Sequence, residues 1–193
     1  MTRARAKIVR ETRETRLEVG LSLRGGPVAV ETGVGFLDHM LETLAVHGDF
    51  GLSLRARGDL HVDAHHCVED VSISLGRALD EALGRREGLA RFGWAYAPLD
   101  EALARAVVDL ARRPGCTFTS PPLPERIGDF PGDMAAHFFR SLSSEGRFTL
   151  HLDVLRAENG HHALESAFKA LAMALRQACS PVPQKVRSTK GVL

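Results

Sequence analysis

Hydrophobic and polar residues alternate in RLEVGLSLR (16–24), which puts Leu17, Val19, Leu21 and Leu23 on one face. This pattern predicts a half-buried strand ending at the turn Gly25-Gly26-Pro27. A short strand, VAVET (28–32), should follow. From Phe36 to Val46 the period changes: Leu37, Met40, Leu41 and Leu44 recur at helical spacing, and Gly48 lies just beyond the end. That run reads as a short helix carrying His39. Phe50, Leu52, Leu54 and Ala56 alternate as a further strand, and Val68, Val71, Leu75 and Leu79 then mark a longer amphipathic helix. It begins at the paired histidines His65 and His66.

The second half repeats this order. HFFRSLSSEGRFTLHLDV aligns with HMLETLAVHGDFGLSLRA, so that His137 falls on His39, Gly146 on Gly48, and Phe148, Leu150 and Leu152 on Phe50, Leu52 and Leu54, all at an offset of 98 residues. The second histidine pair, His161 and His162, follows at an offset of 96, which needs only a two-residue deletion in the connecting loop. A duplicated unit of strands, helix, strand and helix accounts for both halves. WAYAP, ALARAVVDLA and CTFTS are the expected earlier strands of the second half. The middle one is ambiguous because alanine also favours helix. Residues 121–133, PPLPERIGDFPGD, read as a loop, and the tail after Ser180 shows no periodicity.

On a helix, residues i and i+4 share a face, whereas i+1 is rotated by about 100°. His65 and Glu69 can therefore grip one ion, as can His161 and Glu165, while His66 and His162 point elsewhere. Two centres are expected: His65, Glu69 and His162 with one of His39 or His137, and His161, Glu165 and His66 with the other. Imidazole and carboxylate donors that leave positions open suit a catalytic ion better than a closed structural zinc. A single His-His-x-x-Glu on a helix would be weak evidence, since such groups are commonly solvated. Two copies at equivalent places in a repeat, each with a matched third histidine, point to metal. His47, His61 and His151 carry no such pattern.

With 44% hydrophobic residues in 193, the chain can bury a core. Its 25 Lys and Arg nearly balance 24 Asp and Glu, so no global field holds nucleic acid or an anionic membrane. Any anion must be caught locally. Ser188, Thr189 and Lys190 in STKG offer hydroxyls, a cation and flexible amides for a phosphate, and Arg91, Arg112 and Arg113 could add bidentate contacts. The same letters also fit a frayed terminus and surface arginines. Glu14, His47 and Asp100 fall at predicted element ends as acid-base candidates. Three widely spaced cysteines, Cys67, Cys116 and Cys179, suggest reduced thiols and a cytoplasmic protein. The basic start lacks an apolar run and no stretch has 18 consecutive apolar residues, so secretion and membrane spanning are both disfavoured.

The chain resembles the imidazoleglycerol-phosphate dehydratase family of histidine biosynthesis. The motifs that carry the likeness are RETRET, TGVGFLDHML, DLHVDAHHCVED, RFGWAYAPLDEAL, HFFRSL, ENGHHALESAFKALA and STKGVL, in order along nearly the whole chain. The resemblance implies an α/β (α+β) fold of the ribosomal protein S5 domain 2-like class, with the β-β-β-α-β-α unit duplicated and helices on one face of each sheet. It implies a single catalytic domain over 1–193, made of repeats at about 1–90 and 91–180 with a tail at 181–193. It also implies two Mn2+ ions per active site, held by His39, His65, His66, Glu69, His137, His161, His162 and Glu165, at subunit interfaces of a homo-oligomer, commonly of 24 subunits built from trimers. Glu14 and His47 would sit around the substrate, and Arg91, Arg113, Ser188 and Lys190 would hold its phosphate. The motifs depart from the family at Cys67, where threonine is usual, and at Arg187, where proline is usual. No phosphatase unit is expected.

The implied reaction removes water from D-erythro-imidazoleglycerol phosphate to give imidazole acetol phosphate. No carbonyl flanks the proton that is lost, so the ring must supply the electrons. The expected route is a di-metal-bound imidazolate that expels the adjacent hydroxyl, then a diazafulvene-like intermediate, with Glu14 as leading base and His47 and Asp100 as partners. A two-metal hydrolase would instead hold its ions about 3.5–4 Å apart around one water. A metal-storage module would retain metal unaltered after Glu14→Gln.

Overall fold

The computed structural model describes residues 4–183. Leu17, Val19 and Leu21 are buried while Arg16 and Glu18 face solvent, which makes β2 (Thr15–Ser22) the half-buried strand that the alternation predicts. Around it lie β1 (Arg5–Glu11), β3 (Gly25–Glu31), α1 (Gly35–Gly48), β4 (Phe50–Gly58) and α2 (His65–Leu83). The second half supplies β5 (Phe92–Leu99), β6 (Ala102–Asp109), β7 (Gly115–Thr119), a short hairpin of β8 (Arg126–Ile127) and β9 (Phe130–Pro131), α3 (Met134–Glu145), β10 (Thr149–Arg156) and α4 (Gly160–Cys179).

The two sheets run β1-β2-β4-β3 and β5-β6-β10-β7. In each, the first two pairings are antiparallel and the last is parallel. Each half thus has the β-β-β-α-β-α order, with its helices against one face of its sheet. The helices also pack across the halves: α1 lies on α4, and α2 lies on α3. The layers run sheet, helices, helices, sheet, and one contiguous hydrophobic core joins them.

Four features differ from or sharpen the sequence expectation. β1 escapes a hydrophobic reading because its inward residues, such as Ala6 and Ile8, are only half-buried. The alanine-rich ALARAVVD is strand β6, since Ala102, Ala104, Ala106 and Val108 alternate under α4 and tertiary packing overrides the helical preference. The expected loop 121–133 contains the β8–β9 hairpin. The tail begins with a bridge between Pro181 and Leu89.

Close approach governs both helix-packing interfaces. A Cβ on Gly93 of β5 would lie 1.9 Å from the Ala174 carbonyl oxygen, so glycine there lets α4 settle onto its sheet. A Cβ on Gly76 of α2 would lie 2.8 Å from the Leu142 carbonyl oxygen of α3, so glycine sets that crossing. Arg86, with no exposed side-chain surface, locks the same junction. Its guanidinium donates to Asp80 on α2 and to the carbonyls of Leu110, Gly146 and Arg147. Burial pulls its pKa down, partly offset by the Asp80 carboxylate, and the group stays charged because its partners accept four hydrogen bonds.

The outer face of the second sheet presents Phe92, Trp94 and Tyr96 of β5 and Val107 of β6, all substantially exposed. No helix of the described residues is long and apolar enough to cross a membrane.

Replacing Arg86 by leucine should lower the unfolding free energy by about 3–5 kcal/mol, because Asp80 and three carbonyls lose a buried charged donor. Denaturant unfolding would measure this, and a change below about 1 kcal/mol would contradict the role given to Arg86.

Candidate metal centres

The cross-repeat helix pairs bring together two matching sets of donors. His39 of α1 meets His161 and Glu165 of α4, and His137 of α3 meets His65 and Glu69 of α2. Within each set the donor atoms lie within 4.8 Å of one another. The His39 and His161 Nε2 atoms stand 3.3 and 3.0 Å from Glu165 Oε2, and the His137 Nε2 stands 3.0 Å from Glu69 Oε1. The approximate two-fold relation extends to the rings: His39 and His161 have centroids 5.7 Å apart, and His65 and His137 5.6 Å, with interplanar angles of 45° and 44°. Two imidazoles and a carboxylate converging in this way fit a divalent ion and leave positions for further ligands.

Local chemistry holds these helices. The start of α1 has no side-chain cap of its own. Asp129, in the turn between β8 and β9, accepts from the backbone N–H groups of Gly35 and Phe36 at 2.5 and 2.9 Å. Phe130 of the same hairpin packs on Phe36, whose ring meets that of His161 edge-on at 5.1 Å. Asn159 caps α4 by accepting from the N–H groups of His161 and His162. Asp63 accepts from the N–H of His65 at 2.7 Å. Cys67 is buried, with its Sγ against the Thr32 carbonyl, and belongs to the packing beneath the histidines.

The second histidine of each pair joins neither cluster within the chain. His66 bonds through Nδ1 to Asp59 at 3.0 Å and presents Nε2 towards Glu14 at 3.8 Å. His162 bonds through Nδ1 to Glu101 at 2.8 Å and presents Nε2 towards Asp100 at 3.7 Å. Within a single chain His162 does not join His65 and Glu69, nor His66 His161 and Glu165. The helical rotation that set the second histidines apart aims them at a different part of the surface. It is now also clear which third histidine goes where, His39 with α4 and His137 with α2.

Glu14 and Asp100 lie on equivalent turns, between β1 and β2 and between β5 and β6. The first turn is organised by Thr12, whose hydroxyl accepts from the N–H groups of Glu14 and Thr15. The buried Asp70 of α2 ties it down, taking hydrogen bonds from Thr15 and Arg10. Sequence reasoning missed Asp59, Glu101 and Asn159, whose letters match many solvated loop positions.

The remaining candidates lie away from both clusters. His47 sits at the exposed end of α1, eight residues beyond His39 and so about 12 Å along the axis. The N–H of Arg91 donates to the Ala178 carbonyl at the far end of α4, 17 residues from His161 and so about 25 Å along it. The Arg91 guanidinium pairs with Asp109 at 2.7 Å, and Arg113 stands 3.7 Å from the same carboxylate with 70% of its side chain exposed. Arg112 is instead occupied with the Gly84 carbonyl. Ser188, Thr189 and Lys190, with Arg187, lie outside the described residues.

Electrostatics favour ionised carboxylates here. Burial pushes Glu165 up, but hydrogen bonds from Lys169, His161 and His39 together hold it at about 2. The bond from His162, aided by backbone N–H groups, holds Glu101 at about 2. Asp59 and Glu101 in turn raise the pKa of His66 and His162.

The comparisons agree on one family. A family model described as imidazoleglycerol-phosphate dehydratase matches residues 32–175. The imidazoleglycerol-phosphate dehydratase of Saccharomyces cerevisiae is 45% identical, with all of both chains covered. That of Bordetella petrii is 50% identical over 97% of this chain and 98% of its own. Among solved structures, the Staphylococcus aureus imidazoleglycerol-phosphate dehydratase superposes with a TM-score of 0.84 at 35% identity, covering 92% of this chain and 99% of that one. The Pyrococcus furiosus enzyme in complex with (S)-C348 also gives 0.84, at 36% identity, covering 96% and 100%.

Protons compete with metal for imidazole nitrogens, so divalent-metal uptake should fall as the pH is lowered. Glu165, already ionised from about 2 upward, should add no step near pH 4 to 5. Equilibrium dialysis from about pH 4 to about pH 8 checks both statements, and uptake independent of pH would contradict the histidine donor sets.

Proposed function

Because the chain belongs to the imidazoleglycerol-phosphate dehydratase family, hydro-lyases of histidine biosynthesis, we propose that it converts D-erythro-imidazoleglycerol phosphate to imidazole acetol phosphate in centres shared between copies of the chain. The observation that carries the reading is the pair of matching His-His-Glu clusters, each short of the histidine expected to complete it. His66 and His162 stand outside their own chain's clusters, with Nε2 beside Glu14 and Asp100, which suits completion of a second copy's clusters. His162 would join His65, Glu69 and His137 of another copy, and His66 would join His39, His161 and Glu165. A homo-oligomer of 24 subunits built from trimers accommodates this, and the exposed aromatic face of β5 offers it an apolar contact surface.

The donor sets suit two Mn2+ ions per active site. Bound there, the ions would acidify the substrate's imidazole N–H and make the ring an electron donor able to expel the hydroxyl on the adjacent side-chain carbon. The protein's own groups supply the rest. Glu14, close to the Nε2 of His66 and half exposed, takes the proton from the neighbouring C–H, giving an enol that tautomerises to the ketone. Asp100 occupies the matching turn beside His162, and it and His47 are the candidates for carrying the proton to the departing hydroxyl.

Arg91, Arg113, Ser188, Thr189 and Lys190 hold the phosphate. The length of α4 separates Arg91 from its own chain's His161, a span a three-carbon chain does not bridge. The arginines thus serve a neighbour's clusters, again requiring an assembly. The free thiols and the biosynthetic role fit a cytoplasmic setting.

Purified protein supplied with imidazoleglycerol phosphate and Mn2+ should form imidazole acetol phosphate, and chelator should abolish the product. Glu14→Gln should lower kcat by about 10²- to 10⁴-fold with Mn2+ still bound. No product with Mn2+ present would overturn the assignment.

A further inference from the structure

Each paired-histidine helix carries one histidine whose Nδ1 is tied to a carboxylate and whose Nε2 has no hydrogen bond among the described residues, since Glu14 and Asp100 stand 3.8 and 3.7 Å away. An ionised carboxylate only accepts, so the Nδ1 contact fixes the proton on Nδ1 and leaves the lone pair on Nε2. We propose that Asp59 and Glu101 are positioning residues that set the tautomer and the aim of His66 and His162, so that each presents Nε2 to a divalent ion held by another copy of the chain. This rests on the shared-centre reading above.

The two supports come from places that do not correspond in the repeats. Glu101 directly precedes β6 just as Glu14 directly precedes β2, so these two glutamates are equivalents. Asp59 directly follows β4, and past the bulge in β10 the residue that holds its place by strand pairing is Glu158, while the bond to Nδ1 of His162 comes from Glu101 instead. In the second half the glutamate of the turn is locked onto Nδ1 of His162, where it also accepts the N–H groups of Glu158 and Asn159 at 3.1 and 3.0 Å. In the first half Asp59 performs that service, and Glu14 is left beside Nε2, where it can act on substrate. The same Nδ1 contact has thus been built twice from different positions, which a shared ancestry of the repeats does not explain. A need to orient the ring does.

Asp59 adds an independent observation. Its second oxygen, Oδ1, is buried and has no hydrogen-bond partner among the described residues. Burying an unpaired carboxylate oxygen opposes folding. The bond to His66 is what this side chain offers in return.

The test uses the metal-stripped full-length protein, dialysed against buffered free Mn2+, with bound metal counted by atomic emission. Native mass spectrometry follows assembly and thermal melting follows folding. Asp59→Ala and Glu101→Ala should each weaken Mn2+ binding about 10- to 100-fold. Asp59→Asn and Glu101→Gln should recover most of the loss, because the amide oxygen still accepts from Nδ1–H. The neighbouring exposed Glu158→Ala should bind as the parent does.

Unchanged affinity in Asp59→Ala overturns the proposal, as do amide variants no better than alanine. If Glu101→Ala loosens the loop it also holds and fails to fold, Asp59→Ala, which holds no such loop, decides the matter. His66→Ala and His162→Ala separate the two levels of inference. If they bind Mn2+ as the parent does, the shared-centre reading fails and this one with it. If they lose metal while the carboxylate variants do not, only the positioning role fails.

Discussion

The contact on which the rest of the structure depends is the packing of helices from opposite repeats, α1 on α4 and α2 on α3. A helix can place histidine and glutamate one turn apart on a face, but it cannot bring a third donor to the same point without a second helix close by. Gly76 removes the side chain that would hold α3 away from α2, and Arg86 then ties the end of α3 to the end of α2. The crossing seats His137 against His65 and Glu69. At the other interface Asp129 holds the start of α1 while Phe36 and Phe130 back the ring of His161. Both donor sets are thus consequences of interior packing, although their rims are exposed.

Duplication explains why there are two such sets, and divergence explains how one fold also carries acid-base groups. A near two-fold arrangement provides two similar donor clusters, which suits the proposed substrate, a ring with two outward-facing nitrogens. Around those sites the halves differ. The turn glutamate of one half is bound to a histidine and backbone amides, while its counterpart, Glu14, stands half exposed. In the proposed reaction, matching elements would supply the metal chemistry and the departures from symmetry the base.

Much of this was legible in the sequence because the relevant signals were periodic. The alternating strands, the helix beginning at each histidine pair and the matched third histidines all follow from side-chain spacing along regular elements. Which third histidine meets which pair was not legible, because it depends on helix packing between segments almost a hundred residues apart. The second histidines were read as pointing away from the histidine and glutamate of their own helix, and within one chain they stand outside both clusters. Asp59, Glu101 and Asn159 were missed because loop carboxylates and amides look alike until the fold shows what they face. β1 was missed because an edge strand with a half-buried inner face lacks strong alternation. The alanines of β6 were ambiguous because their small size serves close packing under α4, a reason invisible to local propensity.

The most direct test of the account is a structure of the Mn2+-loaded assembly with anomalous scattering recorded at the manganese edge. The account predicts an ion at His39, His161 and Glu165 and another at His65, Glu69 and His137, each also bound through Nε2 by His66 or His162 from a different copy. An ion bound wholly within one chain by Asp100, Glu101 and His162, with the two clusters left empty, would contradict it.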